Sequence, residues 1–98
     1  MANGSKMSRR ILHTSDIHLL SLGDSACRSL EAVVDLANHA EVDLVIIAGD
    51  LFDHSRVNDS LVSFAAEQLQ RLSVDVAILP GNHDCLVPGS AFDRAELW

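Results

Sequence analysis

Three short polar clusters in this sequence carry residue types that bind metal ions and transfer protons. Asp16 and His18 form an Asp-x-His triplet, Asp50 follows a glycine, and residues 81–84 read Gly-Asn-His-Asp. Carboxylate, imidazole and amide groups all bind divalent cations, and a histidine beside a carboxylate can act as an acid or a base. Taken singly, the Asp-x-His triplet is better explained as a chance occurrence and Gly49-Asp50 as a turn or helix cap. The Gly-Asn-His-Asp run is more specific, and its alternative explanation is a polar turn with a solvated histidine.

Each cluster comes directly after a short apolar run, which predicts a strand. The predicted strands span residues 10–14, 42–48 and 74–79. Helical patterns separate them, so the order is strand, helix, strand, helix, strand, which predicts parallel strands whose carboxyl ends meet at one edge of an α/β sheet. We therefore expect the three clusters to converge, with Asp50 at the centre and with Asp16 and His18 on the same side of an extended segment.

The two helices should begin at polar caps, at Asp24 or Ser25 and at Asn58 or Asp59. Their apolar faces are predicted to contain Leu30, Val33, Val34 and Ala37 in the first helix, and Leu61, Phe64, Ala65, Leu69 and Leu72 in the second. A last helix is expected after Ser90. The central strand is apolar throughout, which predicts burial on both faces. Because two helices cover only one face, the rest of a longer chain or a partner should cover the other.

The composition indicates a folded domain with an acidic surface. The chain has 98 residues, 48% of them hydrophobic but only 4% aromatic, which predicts an aliphatic core. The net charge of −7 argues against a broad basic surface for nucleic acid. Two cysteines are too few for a disulfide framework, and no apolar run is long enough to span a bilayer. Residues 1–9 are expected to be a flexible leader or a cloning remnant, and residues 10–98 the domain.

The three clusters together resemble the motifs of the calcineurin-like metallophosphoesterases. The surrounding residues, His-Thr-Ser-Asp-Ile-His-Leu at 13–19, Ala-Gly-Asp-Leu-Phe-Asp at 48–53 and Pro-Gly-Asn-His-Asp at 80–84, are similar to those of the nuclease subunits of the Mre11/SbcD type. This resemblance implies that residues 10–98 are the N-terminal βαβαβ portion of a four-layer α/β/β/α sandwich whose C-terminal half is absent. It also implies a dinuclear metal site, with manganese as the first choice and iron or zinc as alternatives.

The resemblance assigns a role to each site residue. Asp16 and His18 would bind the first metal, Asp50 would bridge the two metals, and Asn82 would bind the second. In the family, His83 would help the leaving oxygen to depart when a metal-bridging hydroxide attacks phosphorus.

The resemblance also gives Asp84 the role of orienting His83. A downstream histidine and a later His-x-His motif, which complete both metal shells in the family, have no counterpart in this chain. His13, His39 and His54 do not match those positions. We interpret them as a strand residue, a residue near a helix end and a loop residue near the site.

The resulting hypothesis is a cytoplasmic phosphoester hydrolase, with a DNA exonuclease as the specific form and an ATPase subunit as partner. The alternatives are an enzyme acting on a small phosphodiester or phosphomonoester, a catalytically incomplete fragment of such an enzyme, and a binding module without activity. The isolated 98 residues are expected to have little or no activity, and they are expected to dimerise, swap strands or aggregate through the uncovered sheet face.

Overall fold

Three parallel strands and two helices alternate along the chain. The computed structural model describes residues 9–54, 56–82, 84, 89–94 and 97–98. The predicted leader up to residue 8, as well as His83 and Cys85, lies outside the described residues. In chain order the elements are β1 (Ile11–Thr14), α1 (Ser25–Ala40), β2 (Leu44–Ala48), α2 (Asp59–Gln70) and β3 (Asp75–Leu79), followed by a 3₁₀ turn at Ala91–Asp93.

The sheet has the order β1-β2-β3, and both pairs of strands are parallel. In the middle of the register, His13 of β1 lies beside Ile46 of β2, which in turn lies beside Ala77 of β3. All three strands therefore end at the same edge, with β2 between the other two. This confirms the predicted α/β topology and puts the loop that carries Asp50 at the centre of that edge.

Both helices begin at a side-chain cap. For each helix, the sequence had left two adjacent residues as candidates for that cap. The carboxylate of Asp24 accepts a hydrogen bond from the main-chain N–H of Cys27 (2.9 Å), and the amide oxygen of Asn58 accepts one from Leu61 (3.0 Å). Each bond goes to an N–H group of the first helical turn, where the carbonyl partner four residues earlier that later helix residues use is missing. Neither helix is long and apolar enough to cross a membrane, and the described residues contain no other candidate.

The helices cover one face of the sheet. Val45 and Ile47 of β2 are fully buried with the inward sides of both helices, which include Leu30, Val34, Ala37, Leu61, Ala65 and Leu69. On the opposite face, Ile11 and Leu79 are each 55% exposed. The side of β2 to which Ile46 belongs is only half-buried within the described residues. Burial of β2 on both faces therefore stays a prediction that depends on cover from a longer chain or a partner.

An aromatic cluster lies outside the aliphatic core, against the loop that follows β2. Phe52 is fully buried, and its ring meets those of Phe92 and Trp98 edge-on at centroid distances of 5.6 and 6.2 Å. The expected last helix is only a 3₁₀ turn, and Ser90 makes no side-chain capping bond. Packing of Phe92 and Trp98 on Phe52 thus helps to hold this segment against the loop that follows β2.

Candidate metal centre

Main-chain hydrogen bonds extend the pairing of β1 and β2 past the ends of the strands. Asp16 donates to the carbonyl of Gly49 (3.2 Å), His18 donates to that of Asp50 (2.9 Å), and Leu19 donates to that of Leu51. The first polar cluster is therefore held beside the second by the backbone itself. The convergence of these two clusters, predicted from their positions after successive parallel strands, is confirmed.

The local conformation at this site is unusual for residues other than glycine. Asp16, His18 and Asp50 all have left-handed φ angles, of 57°, 58° and 54°, and among the described residues other than glycine only Glu41, which ends α1, shares this feature. Each such residue costs on the order of 1 kcal/mol, and clusters of them are typical of functional sites. The expectation of an extended Asp16-x-His18 segment is wrong, because left-handed residues instead turn the chain around the site.

The three residues can supply one ligand atom each to a metal ion. Carboxylate oxygens of Asp16 and Asp50 and a ring nitrogen of His18 all lie within 4.8 Å of one another. Two ligands of the same ion are separated by at most about 4.4 Å, so the observed spacing is close to what an ion requires. Two carboxylates and an imidazole, exposed or half-buried, form a donor set suited to manganese, iron or zinc.

The third cluster approaches the site through Gly81. A Cβ atom on this glycine would lie 2.3 Å from Oδ1 of Asp50 and 2.6 Å from its main-chain nitrogen. Gly81 has no left-handed φ, so glycine is needed here because there is no room for a side chain and not because of the backbone conformation. Asn82 follows directly and is exposed, whereas His83 lies outside the described residues.

Asp84 is fully buried behind the same loop. Its Oδ1 accepts hydrogen bonds from the main-chain N–H groups of Gly81 (2.7 Å) and Asp50 (3.2 Å), and its Oδ2 accepts one from Phe52 (3.0 Å). The sequence indicated a partner for His83 and did not anticipate these main-chain contacts.

Asp53 is a residue of the site that the sequence analysis did not assign. Its carboxylate oxygen lies 3.4 Å from Nδ1 of His18, while Nε2 of His18 lies 3.7 Å from a carboxylate oxygen of Asp16. A carboxylate on the second ring nitrogen of a metal-binding histidine fixes its orientation and tautomer. The feature of the sequence that could have revealed Asp53 is that a second aspartate follows Asp50 by three residues.

The segment between His18 and α1 is anchored by Asp24. Besides capping α1, its carboxylate accepts hydrogen bonds from the main-chain N–H groups of Leu20 (3.2 Å) and Ser21 (3.0 Å). Burial alone would raise the pKa of this carboxyl, but the hydrogen bonds from Ser21, Cys27 and Leu20 outweigh it and hold the pKa below its ordinary value. The ionised carboxylate thus stabilises the loop next to the candidate ligands.

The remaining histidines lie in the elements that the sequence predicted for them. His13 is an exposed residue of β1, and His39 is exposed in the last turn of α1. His54 lies in the loop after β2, where its Nδ1 accepts a hydrogen bond from the main-chain N–H of Arg56 (3.1 Å).

Comparison with known proteins defines the class to which this fold and site belong. The chain is a member of the calcineurin-like phosphoesterase family, whose sequence model matches residues 9–97. This confirms the resemblance drawn from the three clusters.

The sequence identity between this chain and individual relatives is low, between 29% and 34%. The chain is 29% identical over 85 residues to the DNA double-strand break repair protein Mre11 of Methanopyrus kandleri, a match that covers 76% of this chain and 19% of that protein. It is 34% identical over 84 residues to the SbcD component of the nuclease SbcCD of Escherichia coli K12, covering 76% and 21%, respectively. It is also 29% identical over 93 residues to the uncharacterised metallophosphoesterase YhaO of Bacillus subtilis, covering 76% and 23%. The chain thus spans about a fifth of the length of the curated relatives it matches.

Proposed function

We propose that this chain forms the first part of the active site of a metal-dependent phosphoester hydrolase. The observation that carries the proposal is the convergence of Asp16, His18 and Asp50, with ligand atoms within 4.8 Å of one another, in a member of the calcineurin-like phosphoesterase family. Three residues with an unfavourable left-handed backbone lie at one edge of the sheet. Such strain is typical of functional sites, so it favours a geometry that serves binding rather than stability.

The described side chains have distinct tasks in this proposal. Asp16, His18 and Asp50 hold divalent cations, and Asp53 orients the imidazole of His18 from its other nitrogen. Bound cations of this kind polarise phosphate oxygens and neutralise the negative charge that develops during phosphoryl transfer. Asn82, which follows the glycine packed on Asp50, supplies a neutral oxygen ligand for a second cation.

His83 and Asp84 complete the proposed site on the side of the third strand. His83 is proposed to protonate or stabilise the leaving oxygen, in agreement with its position in the Gly-Asn-His-Asp run.

We propose a DNA phosphodiester as the substrate, together with a partner subunit that contains an ATPase. Support comes from two relatives whose names describe a DNA break repair protein and a component of a nuclease. The net charge of −7 favours a second candidate, a small phosphodiester or phosphomonoester, because a DNA-binding surface is usually basic. A basic DNA-binding region would then have to be supplied by other parts of the protein or by its partner.

The class of reaction is tested by metal titration of the full-length protein with the generic substrate bis(p-nitrophenyl) phosphate. Wild-type turnover should depend on added Mn²⁺. Asp50→Asn should lower it at least about 100-fold, because a charged side chain that would hold the metal is lost, and even residues that only orient ligands typically contribute 10- to 100-fold. Asp75→Asn is the matched control, since Asp75 is an exposed carboxylate at the opposite end of β3. Turnover that is independent of metal, or equal loss in both variants, would refute the proposal.

Two further measurements separate the finer alternatives. Rates on duplex DNA ends, small phosphodiesters and phosphomonoesters, compared on the same metal-loaded protein, decide the substrate. His83→Ala should abolish turnover while leaving Mn²⁺ affinity within about twofold of wild type, because the proposed role of His83 is at the leaving group and not at the metal.

The isolated residues 1–98 are proposed to bind metal weakly and to turn over little or no substrate. Turnover close to that of the full-length protein would contradict this.

A further inference from the structure

A carboxylate lies buried where the pairing between β2 and β3 stops. The last main-chain bond between these strands runs from the N–H of Gly49 to the carbonyl of Leu79 (2.8 Å). Beyond it, the N–H groups of Asp50, Phe52 and Gly81 donate to the side chain of Asp84. The carboxylate of Asp84 thus takes the place that strand carbonyls occupy elsewhere in the sheet.

Burial of this charge is unfavourable unless hydrogen bonds compensate it. Asp84 is the only fully buried charged residue among those the structure describes. A buried carboxylate without partners is strongly destabilising, but main-chain N–H groups that point at a negative charge form strong hydrogen bonds. Because both oxygens of Asp84 accept such bonds, the carboxylate is held in place and in turn holds two loops together.

We propose that Asp84 is a positioning residue of the metal site, acting through the main chain of the loop that carries Asp50. This inference rests on the proposed metal-binding function. It gives Asp84 a task that is independent of any contact with His83: it fixes where the carboxylate of Asp50 lies relative to Asp16 and His18, without itself binding metal.

We call the three hydrogen bonds that Asp84 accepts from the N–H groups of Asp50, Phe52 and Gly81 the clamp. The conformation of Asp50 explains why the clamp is needed. Its left-handed φ of 54° is unfavourable for a residue with a side chain, so an unrestrained loop would relax toward negative φ. The hydrogen bonds that Asp84 accepts from the N–H groups on either side of Leu51 oppose this relaxation, and burial of Phe52 anchors the far end of the loop. Loss of the clamp should therefore move the Asp50 carboxylate away from the other ligands.

The clamp also explains how the third cluster is joined to the second. The shortest of the three bonds is donated by the N–H of Gly81, whose Cα surface packs directly on Asp50. One side chain therefore determines both the conformation of the Asp50 loop and the distance between the tips of β2 and β3. Removal of residues that orient metal ligands typically weakens metal binding 10- to 100-fold, which is about the loss expected here.

The test compares Asp84→Asn with Asn38→Ala in the full-length protein. Asp84→Asn keeps the shape but turns one acceptor oxygen into an N–H₂ group. Two donors then face each other at one bond if Oδ2 is replaced and at two bonds if Oδ1 is replaced. Asn38 is a matched control at the other end of the fold. Its side chain also joins two segments by hydrogen bonds, donating to the carbonyl of Arg71 and accepting from the N–H and hydroxyl of Ser73.

Two readouts are measured for each protein. The first is hydrogen exchange of the peptide that covers residues 49–53, by mass spectrometry after removal of metal with a chelator. The second is Mn²⁺ affinity by calorimetry, with the melting temperature of the metal-free protein as a record of general stability.

The expected result is faster exchange of residues 49–53 and Mn²⁺ binding weakened at least tenfold in Asp84→Asn only. Asn38→Ala should lower the melting temperature while leaving both readouts at wild-type values. Equal Mn²⁺ losses in the two variants, or an Asp84→Asn affinity within twofold of wild type, would overturn the inference.

Hydrogen exchange of the metal-free wild-type protein still tests the clamp if the variant does not fold or if the wild type binds no Mn²⁺. If Asp84→Asn does not fold, rapid wild-type exchange of residues 49–53 overturns the inference and slow exchange supports it. If the wild type binds no Mn²⁺, the proposed function fails, whereas the exchange difference between wild type and Asp84→Asn still decides whether the clamp exists.

Discussion

Replacement of Gly81 with alanine should damage the metal site through steric overlap alone. The added Cβ would lie 2.3 Å from Oδ1 and 2.8 Å from Cγ of Asp50, whereas non-bonded heavy atoms prefer about 3.5 Å. The overlap is therefore about 1 Å, and it falls on the carboxylate proposed to bind metal. Gly81 has no left-handed φ, so backbone strain at the mutated residue does not contribute.

The magnitude follows from how accurately ligands must be placed. Metal–ligand distances tolerate only about 0.2 Å, and a displacement of about 1 Å at a functional group typically costs about 100-fold. We therefore expect Mn²⁺ affinity and phosphodiesterase activity to fall by about that factor. Overpacking should also lower the free energy of unfolding by about 1–3 kcal/mol.

Calorimetric Mn²⁺ titration and thermal melting of Gly81→Ala and Gly23→Ala would check this. Gly23 has a φ of 82° and nothing within 4 Å of the position of a Cβ, so its substitution introduces backbone strain without overlap. Gly23→Ala should lose about 1 kcal/mol of stability and keep its metal affinity. An affinity of Gly81→Ala within twofold of wild type would refute the reasoning, because the Asp50 carboxylate would then have moved without consequence.

Three further predictions concern other parts of the fold. Because the pKa of Asp24 is lowered on folding, its contribution to stability is complete above its ordinary pKa of 3.8 and is lost as the pH falls through the lowered value. Urea unfolding of Asp24→Asn should thus differ from wild type by a constant amount at pH 5–7 and by less below about pH 4, and a difference that grows with acid would contradict this. Burial raises the pKa of the Cys27 thiol, so iodoacetamide at pH 7.5 should label it only after denaturation; peptide mapping that finds it labelled in the native protein would disprove the buried placement. In light scattering, residues 1–98 should self-associate through the open sheet face, and Leu79→Ser should reduce this; a monodisperse wild-type monomer would contradict the prediction.

The amino-acid sequence by itself determined the helices and strands and the types of side chain that could bind a metal ion. Helix and strand periodicity, with caps at Asp24 and Asn58, depends on residues within a few positions of one another and can be recognised locally. The alternation of strands and helices then required parallel strands with their tips at one edge. For this reason the convergence of Asp16, His18 and Asp50 could be predicted from the order of the elements.

Only the tertiary structure decided how these ligands are held. The contacts from Asp84 to the N–H groups of Asp50 and Phe52 join residues 34 and 32 positions apart, and no local pattern records them. The lack of space at Gly81 and the aromatic support of Phe52 likewise depend on which segments meet in three dimensions. Short-range propensity specifies elements, but the position of each side chain to within an ångström depends on packing between segments that are distant in sequence.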